Sequence, residues 1–140
     1  MMDANGLSGL FSRVKTIALI GAKDKPGQPV DRVGRYLMDS GFTVFPVHPV
    51  RKSVWGLEAY PTMLDVPAPV DLVNLFRAPE YCPDHAREAL KLDPLPLAFW
   101  MQSGIKSAEV RDILSGHPIT VIEDRCIMVD HRANTSGGLV

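Results

Sequence analysis

Five short clusters in this 140-residue sequence carry groups suited to holding an anion or working on one. Gly21-Ala22-Lys23, with Lys25 beyond it, sets two cations behind a glycine that lets the backbone approach a ligand closely. Val47-His48-Pro49-Val50-Arg51-Lys52 ends an apolar run in an imidazole and two more cations. Phe76-Arg77 places a guanidinium directly after another apolar run, where a charge needs a ligand, a carboxylate or water. Gln102-Ser103-Gly104 offers an amide, a hydroxyl and a glycine, and Asp124-Arg125-Cys126 offers a thiol beside a cation. The common chemistry is phosphate binding by lysine, arginine and backbone N–H groups at a helix start. Each cluster also has a plainer reading. Lys23 and Lys25 suit a surface loop, Arg51 and Lys52 a solvated pair, and Arg77 a structural ion pair. His48 suits packing or hydrogen bonding better than base or metal chemistry. Trp100, beside the fourth cluster, suits the core. Arg125 either activates the thiol of Cys126 or belongs to a structural Asp–Arg pair beside a buried thiol.

Machinery for bond-making is harder to find. There is no GxSxG elbow, no HExxH, and no lysine placed after a glycine-rich phosphate loop. His48, His85, His117 and His131 are scattered, which argues against zinc. The dinucleotide fingerprint GxGxxG is also missing, since the third and sixth positions from Gly21 are Lys23 and Pro26. NAD-binding chains place a carboxylate after the second strand to hold the ribose. Here that place holds Arg51 and Lys52, which favour an adenosine carrying an extra phosphate. NADP and coenzyme A both fit that description.

These clusters act together only if the chain brings them to one place. Residues 16–20, Thr-Ile-Ala-Leu-Ile, form a continuous apolar run, the pattern of a strand buried on both faces. Residues 42–47, 71–76, 97–101 and 119–122 read as strands too. Helices are expected over 7–14, over 30–40 with Gly41 as its stop, and over 79–91 with Cys82, Ala86, Ala89 and Leu90 on its apolar side. Pro83 should part the first turn of that third helix from the rest. Ser107 can cap a helix over 108–115, and Gly116 can stop it. A single helical turn over 62–65 interrupts the connections, and the Gly-rich tail 134–140 is expected to fray. The alternation predicts an α/β fold, a three-layer Rossmann-like, doubly wound parallel sheet of about five strands. Ligands of such folds sit beyond the carboxyl ends of the strands. All five clusters follow strands, so the fold gathers them on one rim.

Composition sets the limits. Fifteen Lys and Arg against 16 Asp and Glu give a net charge of −1, so a broad nucleic-acid face is not expected and any anion site must be local. With 46% hydrophobic and 22% charged residues the chain reads as one globular domain, residues 1–140, with its core at about 13–132. No apolar run approaches the ~20 residues of a membrane helix. Asp3 and Asn5 stand where a secretory signal would be basic and then apolar, so a cytoplasmic protein is expected. Cys82 and Cys126 form no CxxC pair and are expected as buried free thiols, with a mixed disulfide to a small thiol as the sharper possibility.

Taken in order, several segments resemble the single-domain CoA-binding family, whose members look like the CoA-binding domain of the succinyl-CoA synthetase alpha subunit. The segments are Ile17-Ala18-Leu19-Ile20-Gly21-Ala22, Pro29 with Arg32 through Leu37, Gly41 through Pro49, Val70 through Arg77, Trp100 through Ile105, and Glu123 through Cys126. The resemblance implies a Rossmann-like sheet and bound coenzyme A or acyl-CoA. It implies that the Gly21-Ala22-Lys23 loop and the start of the helix after the first strand hold the pyrophosphate, with Lys25, Pro29 and Arg32 also among the cofactor-binding residues. Val47, His48, Pro49 and Arg51 would border the adenosine. Phe76, Arg77, Gln102, Ser103 and Gly104 would line the route of the pantetheine arm. Relatives often carry Asn-Pro where this chain has His48-Pro49. Synthetase alpha subunits carry their phosphorylated histidine on a following domain, so the resemblance implies binding and not the ligase reaction. The alternative reading is an NADP-dependent oxidoreductase on the same fold.

Overall fold

The computed structural model describes residues 4–134. Five parallel strands form one sheet: β1 (Thr16–Ile20), β2 (Thr43–Val47), β5 (Leu72–Leu75), β6 (Ala98–Met101) and β7 (Thr120–Ile122). Between β2 and β5 lies a two-stranded hairpin, β3 (Ser53–Val54) and β4 (Leu57–Glu58). The sheet order is β2-β1-β5-β6-β7, so the chain starts near one edge, reverses after β2 and continues outward from β1. That reversal is a topological switch point between β1 and β5, where α/β folds open a crevice. The register aligns Ile20 with Val47 on one side and Leu75 on the other, so β1, β2 and β5 end level.

Strand alternation divides the core in two. Ile17 and Leu19 of β1 face one layer and Ala18 and Ile20 the other, all at 2% exposure or less. The first layer is covered by α1 (Ala4–Arg13), α2 (Pro29–Asp39) and α5 (Ile127–Asn134), through Leu10, Val33, Leu37 and Ile127. The second is covered by α3 (Cys82–Ala89) and α4 (Ala108–Leu114), through Ala86, Ala89, Val110 and Leu114. Each fully buried Leu, Ile or Phe contributes about 1.5–3 kcal/mol from apolar area removed from water. Trp100 lies wholly in the first layer, its indole N–H donating to the Arg125 carbonyl at 2.8 Å.

Pro83 divides its helix as the sequence suggests: a 3₁₀ turn, Pro79–Tyr81, precedes α3. Ser107 caps α4 through the Val110 amide. Asn134, expected in a frayed tail, instead closes α5, its side chain donating to the Asp130 carbonyl at 2.8 Å. Residues 135–140 of that tail lie outside the described residues.

Gln102 and Asn74 form a buried polar pair behind the rim. The Gln102 Oε1 accepts the Ile127 amide at 3.0 Å, fixing the start of α5, and accepts Asn74 Nδ2 at 3.3 Å. Gln102→Ala strips both donors of their acceptor in a site that is 3% exposed. It is expected to cost about 2–3 kcal/mol, from two unsatisfied buried donors and lost packing. Urea denaturation checks this as a lower midpoint at unchanged slope.

Candidate functional site

The cleft at the switch point is built from three strand ends. Gly21, at the end of β1, has φ +85°, and a Cβ there would lie 2.4 Å from the Phe76 carbonyl oxygen. Only glycine lets the chain leave β1 this close to the end of β5. The Gly21 and Ala22 amides both reach the Val47 carbonyl, at 3.0 and 3.3 Å, which laces β1 to β2. Ala22 and Val47 are buried beneath the strand ends and are not part of the cleft lining.

The loop then presents Lys23 and enters α2. Gln28 is the N-cap and makes no side-chain cap; Pro29 takes the first turn. The Asp31 and Arg32 amides turn to the Gln28 carbonyl, at 3.1 and 3.2 Å, and the Val30 amide has no protein acceptor among the described residues. The positive end of an 11-residue helix thus faces the cleft. Asp31 sits in that first turn but faces away. Its carboxylate accepts from the Trp55 indole N–H at 2.8 Å and from Arg35 Nε at 3.1 Å. The indole bond is the main cause that holds its pKa below the ordinary value, against the opposing effect of burial, with Arg35 adding to it.

His48 closes the end of β2. Its Nδ1 accepts the amides of Val50 and Arg51, at 3.1 and 3.0 Å. Burial, then the charges of Arg51, Lys23 and Arg77, hold its pKa below the ordinary value. Arg51 Nη1 donates to Asp24 at 3.0 Å, and the other oxygen of Asp24 accepts the Trp55 amide at 3.2 Å. On the β5 side, Phe76 and Arg77 complete the wall. The Arg77 guanidinium lies 4.3 Å over the ring of Tyr81 and has no carboxylate within salt-bridge distance among the described residues. That answers the alternative of a structural ion pair.

The cleft encloses about 440 Å³, and no aspartate or glutamate lines it. Of the residues selected from sequence, it brings together Gly21, Lys23, Pro29, His48, Pro49, Phe76 and Arg77. Lys25 is exposed on the same loop but outside the lining, as is Lys52 beyond β2. Arg32 points to a groove between α2 and α5. Arg51 stands behind the lining in its pair with Asp24. At the end of β6, Gln102 is buried, Ser103 is exposed, and the Gly104 amide donates to Asp124 at 2.7 Å. All three stand one strand beyond the cleft lining. Gln28, Val30 and Tyr81 also line the cleft and carried no signal of their own.

The cysteines differ from expectation in part. Cys82 is fully buried, and burial pushes its thiol up to about 11. Folded protein incubated with a disulfide of a small thiol is therefore expected to gain no mass at Cys82, as peptide mapping would show. Cys126 is half-buried rather than buried. Arg125 is held by Asp130, with two bonds of 2.6 and 2.9 Å, and not by the adjacent Asp124. No group of three or more metal-ligating side chains occurs among the described residues. No helix among them is long and apolar enough to cross a membrane.

His48 and His131 are both held below the ordinary histidine pKa of 6.5, burial being the first cause for each. Protons therefore bind more readily to the unfolded chain. Stability is complete above pH 6.5 and falls as the pH drops through that value, levelling below the folded-state pKa. Thermal melts at about pH 7.5 and about pH 5.5 should show the lower midpoint at the lower pH.

Comparison with known proteins bears on the family and the fold. The sequence pattern of a family described as the CoA binding domain matches residues 15–132. The Bacillus subtilis protein YneT, itself uncharacterized, is 34% identical over 122 residues, covering 87% of this chain and 89% of that protein. A solved Thermus thermophilus protein, cell-free ID.343, superposes with a TM-score of 0.89 at 38% identity, covering 96% of this chain and all of that one. An ADP-forming acetate–CoA ligase of Archaeoglobus fulgidus is 28% identical over 136 residues, but the match spans 20% of the ligase. With a pattern match over most of its length and a parallel sheet opened at the same switch point its sequence implied, the chain belongs to the CoA-binding domain family.

Proposed function

We propose that this chain binds coenzyme A, free or as an acyl-CoA, acting as a cytoplasmic single-domain module over residues 1–140. The observation that carries the reading is the charge of the cleft: Lys23 and Arg77, two cations without carboxylate partners among the described residues, stand beside a helix N-terminus, with no acidic residue in the lining. A pyrophosphate suits that site, neutralised by Lys23 and Arg77 and receiving the Val30 amide. Arg51 and Lys52, just beyond β2, stand where the ribose phosphate of coenzyme A would emerge. Gln102, Ser103 and Gly104 lie further along the rim, toward which a pantetheine arm would run. This reading asks the chain to form and break no bond.

Titration calorimetry with coenzyme A is expected to give a Kd in the roughly micromolar to millimolar range, about −4 to −8 kcal/mol. Dephospho-CoA is expected to bind more weakly. No heat from either ligand at high protein concentration, or thermal stabilisation by NADP and not by coenzyme A, would overturn the reading.

A further inference from the structure

The turn that carries Arg51 hangs on one nitrogen. Nδ1 of His48 accepts two amides, Val50 at 3.1 Å and Arg51 at 3.0 Å. It can accept them only without a proton, which places the ring proton on Nε2. A doubly protonated ring would set N–H against N–H, and both bonds would be lost at once. The far end of Arg51 is tied separately, Nη1 to Asp24, and the remaining guanidinium N–H groups have no carboxylate among the described residues. Backbone and side chain of Arg51 are thus both held, with most of its donor fork left to a ligand.

The charged groups around His48 come from every wall. Lys23 faces it from the β1–α2 loop, Arg51 from its own turn and Arg77 from the end of β5. Asp24, the nearby carboxylate, is committed to Arg51 and to the Trp55 amide. Tyr81 lines the same cleft. Three cations oppose a further positive charge on the ring.

We propose that neutral His48 is the positioning residue for Arg51, and that one ring proton thereby decides whether the protein distinguishes coenzyme A from its dephospho form. The proposal rests on the reading of the cleft as a coenzyme A site. An asparagine Oδ1 in this position would accept the same amides without titrating. His48 adds a proton-dependent release to a turn that asparagine would hold at every pH.

The test measures the ratio of Kd for dephospho-CoA to Kd for coenzyme A, at about pH 7.5 and about pH 5. In the wild-type protein the ratio should be about tenfold or more at the higher pH, the worth of one charge-assisted contact, and should fall at the lower pH to the extent that the ring takes up a proton. The ribose phosphate titrates near pH 6 itself and lowers the ratio in any protein. His48→Asn measures that share, and should retain more of the ratio at low pH than the wild type does. His48→Ala should bring the ratio near unity at both pH values while coenzyme A still binds. Parallel loss in the wild type and His48→Asn, or a ratio kept by His48→Ala, would overturn the proposal. Long-range ¹H–¹⁵N spectra of the wild type give a check that needs no variant: Nδ1 must appear as the unprotonated nitrogen at neutral pH. If the wild type binds neither ligand at neutral pH, the reading of the cleft falls, and the role of His48 toward that phosphate falls with it.

Discussion

Arg77→Glu is expected to weaken coenzyme A binding by about 100-fold or more, the largest loss of any single substitution in the cleft. The guanidinium lies over Tyr81 with no carboxylate within salt-bridge distance among the described residues, so its charge is available to a bound anion. A unit charge pair about 4 Å apart near a protein surface interacts by up to about 4 kcal/mol. Partial exposure lowers that, but a reversal both removes the attraction and adds a repulsion. A net loss of about 3 kcal/mol follows, which is the 100-fold. Arg77→Gln should lose less, since it removes the attraction without the repulsion. Lys25→Glu is the control: the same loop and the same charge change, but outside the lining. Calorimetry on the three variants checks the ordering, and equal losses from Lys25→Glu and Arg77→Glu would sink the assignment of Arg77 to the site.

Gly21→Ala is the substitution expected to cost most in stability. It demands a positive φ from an L-residue and sets a methyl 2.4 Å from the Phe76 carbonyl oxygen. The first effect costs about 1–2 kcal/mol. The second cannot relax by turning a side chain, because the obstacle is backbone. A total of about 3–5 kcal/mol is expected, or a midpoint lowered by roughly 10 °C or more. Gly104→Ala separates the two effects. Its φ is +83°, yet a Cβ there meets nothing within 4 Å, so only the conformational cost should appear. Denaturation of both variants should leave Gly21→Ala the less stable by about 2 kcal/mol or more.

The five strands were legible because their apolar runs are continuous, which two-faced burial requires. The hairpin β3–β4 was not. Its strands are two residues each, too short for alternation to register. Its turn, Trp55-Gly56, has φ of 56° and 74°, a conformation usually written Asn-Gly or Asp-Gly. Tryptophan is held there by tertiary contacts: its indole bonds Asp31, and its ring fills the space a Cβ on Gly34 would need, 2.1 Å away. Helix α5 was missed because its mixed sequence has little amphipathic pattern, and its start is set by Gln102, 25 residues earlier. The cations of the rim could be picked out by type, but their pairing could not. Arg51 and Arg77 look alike in sequence, and only the fold gives one an aspartate and the other a tyrosine ring.

That same tryptophan gives the molecule an optical gauge. The chain has two indoles, and they occupy opposite circumstances. Trp100 is sealed in the sheet and bonded to a carbonyl, so its emission should stay constant while the domain is folded. Trp55 is partly exposed, joining the hairpin to α2 while its amide shares Asp24 with Arg51. Light from Trp55, read against the steady signal of Trp100, follows the joint between the two loops that frame the cleft.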